Sequence, residues 1–87
     1  MNEDIKAAFK DAFSSHFQGY QLKRVPYPIL YDDRWHNFSV YRHGEKVTFI
    51  YHMDTANQVC TIKRKRHSLS YRFKYKTRHD NKQGVLV

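Results

Sequence analysis

The sequence predicts an α+β protein, in which one N-terminal amphipathic helix packs on one face of a four- or five-stranded, mostly antiparallel sheet built as a meander of hairpins. Three observations predict it. Apolar residues among the first 17 recur at helical spacing, residues from Trp35 onward alternate at the strand period, and short turn segments separate the β-rich runs. Alternation with one apolar face is the pattern of an antiparallel sheet covered on one side.

The helix is expected over about residues 3–17. Ile5, Ala8, Phe9, Ala12, Phe13 and Phe17 share one face, with Lys6, Lys10 and Asp11 off it. Asn2 is placed to cap the first turn, Glu3 and Asp4 complement the positive end of the helix dipole, and Gly19 can take the left-handed conformation that closes the C-terminus. Residues 20–25 alternate weakly before Pro26 and Pro28. These prolines remove two backbone donors and hold Val25 and Tyr27 extended, so the segment reads as an edge strand running into a loop.

Residues 36–43 and 46–53 read as a hairpin about Gly44-Glu45, with Gly first in a two-residue turn. That register sets His43 against Lys46, Val40 against Phe49 and Phe38 against Tyr51. One face collects Phe38, Val40, Val47, Phe49, Tyr51 and Met53, and the other carries Ser39, Tyr41, Thr48, Ile50 and His52. A second hairpin, 59–66 with 69–76, is expected about His67-Ser68, which opposes Ile62 to Phe73, Cys60 to Tyr75 and Lys63 to Arg72. Its core face is Cys60, Ile62, Leu69, Tyr71, Phe73 and Tyr75, and its outer face is Thr61, Lys63, Lys65, Arg72, Lys74 and Lys76. Residues 1–76 thus form a single domain. Residues 77–87 read as a polar, mobile tail ending in Val85-Leu86-Val87, suited to dock on the domain or a partner.

A chain of 87 residues removes only about 60–65% of its unfolded surface from water. Seven Tyr, six Phe and one Trp supply large rings that bury area at little entropic cost. Cys60 is the only cysteine, which excludes an intramolecular disulfide and a cysteine-rich zinc site and suits a reducing compartment. The first residues are acidic and no apolar run nears a membrane span, so a cytoplasmic protein without membrane contact is expected.

Charge is the most informative feature. Residues 1–60 hold seven Lys/Arg and seven acids, whereas residues 61–87 hold nine Lys/Arg against Asp80 alone, so the whole net charge of +8 lies in the last third. Such segregation predicts a positive patch that meets a polyanion. Lys63, Lys65, Arg72, Lys74 and Lys76 are the expected phosphate contacts, and the opposition of Lys63 to Arg72 favours a neutralising ligand. Arg64 and Arg66 project past the core edge at the hairpin tip and, with Arg78, extend that surface. Tyr41 and His52 share the outer face with the cations and can stack on unpaired bases. The competing account is a solvated edge hairpin whose lysines discourage aggregation.

Catalytic signals are sparse. Asp32, Asp33 and His36 are the nearest to an acid-base or metal constellation, but their spacing matches no motif that demands it. The six histidines lack metal-ligand spacing, and no glycine-rich phosphate loop, nucleophile elbow or dinucleotide fingerprint occurs. The expectation is a non-catalytic nucleic-acid-binding accessory protein without cofactor or metal. Two alternatives stand beside it: a modulator or inhibitor that docks its basic hairpin on an acidic protein surface, and a metal-free ribonuclease using Arg66, His67, Tyr71 and Arg72. Either DNA or RNA fits, and an exposed edge at residues 20–25 leaves a homodimer open.

Overall fold

The helical spacing of the N-terminal segment becomes α1, Glu3–His16, in a computed structural model that describes residues 3–75. Asn2, the side chains of Glu3 and Asp4, Lys76, Arg78 and the 77–87 tail lie outside the described residues. The Phe17 N–H still donates to Phe13 O at 2.9 Å, and Gly19, at φ 91°, turns the chain out of the helix. Ile5, Phe9, Phe13 and Phe17 are buried along one face.

Four strands follow, β1 (Trp35–Arg42), β2 (Glu45–Asp54), β3 (Val59–Arg64) and β4 (Ser70–Lys74), paired antiparallel in the order β1-β2-β3-β4. α1 packs on the sheet face formed by Phe38, Val40, Phe49, Tyr51, Met53, Cys60 and Ile62. Phe49 is the hub. Its ring lies 5.2 Å from those of Phe13, Phe17 and Tyr20, all near edge-on, the arrangement aromatic quadrupoles favour.

The helix-on-antiparallel-sheet architecture agrees with the sequence, but both hairpin registers differ from expectation by two residues. In the first, the turn is His43-Gly44 at φ 53° and 79°, so Phe38 pairs with Phe49, Val40 with Val47 and Arg42 with Glu45. Positive φ at both central residues matches the right-handed strand twist, and the glycine takes the second position. In the second, residues 65–69 connect the strands, so Cys60 pairs with Phe73, Thr61 with Arg72, Ile62 with Tyr71 and Lys63 with Ser70. The expected opposition of Lys63 to Arg72 does not occur. A two-residue shift preserves faces, so the division between core and outer residues stands. Leu69 is the exception: expected in the core, it sits in the connection and is 77% exposed.

The expected strand at 20–25 reduces to one bridge, in which the Gln21 N–H donates to Tyr41 O at 2.6 Å and the Tyr41 N–H to Gln21 O at 3.0 Å. Packing explains this. Tyr20, Leu22 and Val25 turn in against the core, so the chain wraps the sheet edge instead of running along β1. Ile29 is buried further on, and the Leu30 N–H donates to the Tyr51 hydroxyl at 3.1 Å.

Candidate nucleic-acid interface

Strand periodicity sends alternate residues to the sheet face opposite α1. Pairing aligns Trp35, His52, Thr61 and Arg72 in one row across all four strands, and Asn37, Ile50, Lys63 and Ser70 in the next. With neighbouring strands about 4.8 Å apart, each row spans about 14 Å.

Trp35 opens β1 and is 48% exposed. Its ring lies 5.2 Å from that of His52, and Lys63 Nζ is 5.8 Å from its centroid. Trp35 on β1 and Lys63 on β3 flank β2, where His52 pairs with Trp35 and Ile50 with Lys63. Ile50 is only 9% exposed there, although it stands outside the helix-covered core. An open depression of about 410 Å³ is lined by Trp35, His52, Thr61, Lys63, Ser70 and Arg72 among others. It combines an indole plane, an imidazole, three hydroxyls (Thr61, Ser68 and Ser70) and two cations. Such a set can stack on a planar ring and donate hydrogen bonds to anionic oxygens.

Asp54 is the acid at the rim of this depression, and its turn occupies it. The Asn57 side-chain amide and backbone N–H donate to its carboxylate at 3.0 and 3.1 Å and hold its pKa below the usual carboxylate value. Lys74 is exposed in the row of Asp54 and Val59, so it extends the cationic surface along β4.

The residues singled out in the sequence are distributed unevenly over the molecule. Lys63, Arg72, Lys74 and His52 come together on the open face. Lys65 is exposed at the hairpin tip, where its N–H donates to Thr48 O at 3.1 Å, and Arg66 is exposed in the same connection. Tyr41 shares the open face but lies six residues along β1 from Trp35, about 20 Å away, with Lys23 Nζ 4.3 Å from its ring centroid. Arg64 points to the α1 side, where its Nη1 donates to the Tyr20 hydroxyl at 3.0 Å. Lys76 and Arg78 lie outside the described residues. Trp35 and Ser70 were not among the expected contacts. Beginning β1 at residue 36 hid Trp35, whose parity with Ser39 and Tyr41 was the available signal.

The catalytic candidates come together only in part, with His36 on Asp32 and Asp33 engaged elsewhere. The His36 Nε2–H donates to Asp32 Oδ1 at 2.7 Å and the Arg34 N–H to the same oxygen at 3.2 Å. The His36 hydrogen bond is the chief reason that the Asp32 pKa lies below its ordinary value. Asp33 instead accepts the Thr55 N–H and hydroxyl, both at 2.9 Å, and clips this loop to the β2–β3 turn. Among the described residues no group of three His, Cys, Asp or Glu is placed to hold a metal. Of the ribonuclease set, Tyr71 faces α1 and stacks on His16 with centroids 3.4 Å apart, whereas Arg72 is on the opposite face. Among the described residues no helix is long and apolar enough to cross a membrane. In comparisons with known proteins, no family model, no curated protein and no solved structure matches this chain.

Proposed function

We propose that the protein is a non-catalytic nucleic-acid-binding protein that receives a single-stranded segment across the open face of its sheet. One observation carries the reading: the sole tryptophan stands exposed on the sheet face opposite α1, beside Lys63, Arg72 and His52. Trp35 and His52 offer stacking surfaces, while Lys63, Arg72 and Lys74 meet the backbone. Exposed aromatic area in that setting favours unpaired bases over a duplex, whose bases are already stacked.

Reversing Lys63, Arg72 and Lys74 to Glu tests the proposal. At low salt the triple variant is expected to lose at least about 100-fold in affinity for mixed-sequence single-stranded DNA and RNA, since charge-assisted contacts each contribute about 1.5–3 kcal/mol. Undetectable binding by the native chain, or unchanged affinity in the variant, contradicts the reading. Equal affinity for duplex without a change in Trp35 emission would leave phosphate contact and remove base stacking. Recovery of one stoichiometric protein after nuclease treatment, without oligonucleotide binding, would favour a protein-docking modulator instead. RNA cleavage without added metal would overturn the non-catalytic part.

A further inference from the structure

A second cluster lies on the other side of the sheet, where α1 ends. Arg42 closes β1 and Arg64 closes β3, and both have the parity of core residues. Arg42 Nη1 and Arg64 Nη1 each donate to the Tyr20 hydroxyl at 3.0 Å. Their Cζ atoms lie 5.2 and 5.9 Å from the Tyr20 ring centroid. Two guanidinium groups therefore converge on one neutral oxygen. Among the described residues no carboxylate lies within 4.0 Å of either, Glu45 opposite Arg42 included.

We infer that Tyr20, Arg42 and Arg64 form a second anion site, which takes a dianionic phosphoryl group, either inorganic phosphate or a phosphomonoester. The site stands apart from the open-face reading. A phenol oxygen accepts through two lone pairs, and here both arginines use them, so the Tyr20 O–H proton is left to donate away from both guanidinium groups. Each guanidinium carries five N–H donors, and one from each is engaged within the described residues. The remaining forks suit the bidentate geometry of phosphate oxygens.

Tyr20 is held in place independently of any ligand. Its ring meets Phe49 near edge-on at 5.2 Å, and its N–H donates to Phe17 O at 3.3 Å. The local field is consistent with an anion. Burial opposes ionisation of the Tyr20 phenol, yet the hydrogen bonds and charges of Arg64 and Arg42 outweigh it and bring its pKa below the ordinary value.

The test uses the full chain and inorganic phosphate, with thermal unfolding read against chloride at constant ionic strength. At free phosphate about ten times Kd, Tm is expected to rise by roughly 5–10 °C. The rise should vanish in the Arg42→Gln, Arg64→Gln double variant and shrink in Tyr20→Phe, which keeps the ring on Phe49. It should persist in the Lys63→Glu, Arg72→Glu, Lys74→Glu variant, which separates this site from the open face. Side-chain NMR signals of Arg42 and Arg64 should shift saturably in the native chain, a readout that does not depend on the variants folding. Equal stabilisation by phosphate and chloride, a rise that survives the double variant, or unmoved arginine signals would overturn the site. Oligonucleotides with and without a 5′-phosphate then distinguish the source. Tighter binding of the phosphorylated strand, lost in the double variant, supports a site that holds a strand end, and competition by phosphate alone supports one for the free ion.

Discussion

Single residues carry the account in two ways, by packing and by exposure. Phe49 is fully buried among Phe13, Phe17, Phe38 and Tyr20, so Phe49→Ala is expected to cost about 3–5 kcal/mol in urea unfolding. A loss below about 1 kcal/mol would place the core elsewhere. Cys60 is also fully buried, and burial pushes its thiol from 9.0 up to about 12. The unfolded chain ionises this thiol above pH 9 while the folded chain keeps it protonated. Its contribution to stability is therefore fully present below pH 9 and is lost as pH rises toward about 12. Between those limits stability should fall by up to about 1.4 kcal/mol per pH unit from this group. Tyr75, pushed from 10.0 up to about 12 chiefly by burial, acts in the same direction at the upper end. Urea unfolding from pH 8 to 11 checks this, and Cys60→Ala should flatten the slope. The sequence made Cys60 and Phe49 legible as core residues through alternation alone. Trp35 was only half legible: its parity with Ser39 and Tyr41 gives its face, but exposure at a strand's first position depends on where the preceding loop leaves the sheet.

At the scale of elements, alternation and turn chemistry separate what was legible from what was not. The helix and the face assignment of nearly every strand residue follow from periods of 3.6 and 2. Register does not, because a two-residue slip leaves every side chain on its face, and only the turn decides. Gly44 satisfies either turn position by sequence. Its φ of 79° together with 53° at His43 selects the His43-Gly44 turn. Gly44→Ala is thus expected to destabilise the hairpin by about 1–2 kcal/mol despite open space around the added methyl, whereas His43→Asn should be neutral or stabilising. Equal stability of the native chain and Gly44→Ala would contradict this turn. The residue 20–25 segment departs from its sequence pattern for a different reason. Its weak alternation reflects side chains that reach under the sheet edge, and local pattern does not distinguish that from pairing along the edge.

Over the whole molecule, the fold turns a composition into a surface. Charge confined to the last third becomes Lys63, Arg72 and Lys74 on one face of a sheet whose other face is occupied by α1. The same topology sends Arg64 to the opposite side, so the basic segment supplies two surfaces with different neighbours: an exposed indole on one and a phenol on the other. The Lys63 to Arg72 opposition, offered by the sequence as a reason for a ligand, is replaced by hydroxyl partners. The case for the open face rests on Trp35 and the shared row instead. The most direct test of that case is the salt dependence of single-strand binding, followed through the fluorescence of the only tryptophan. With three phosphate contacts, log K should fall against log salt with a slope near −2, about 100-fold per decade of salt, with Trp35 emission quenched on binding. Trp35→Ala, followed by anisotropy of labelled oligonucleotide, should lose about 1–3 kcal/mol with the slope unchanged. A slope near zero, or full affinity in Trp35→Ala, would contradict the proposal that this face holds a nucleic-acid strand.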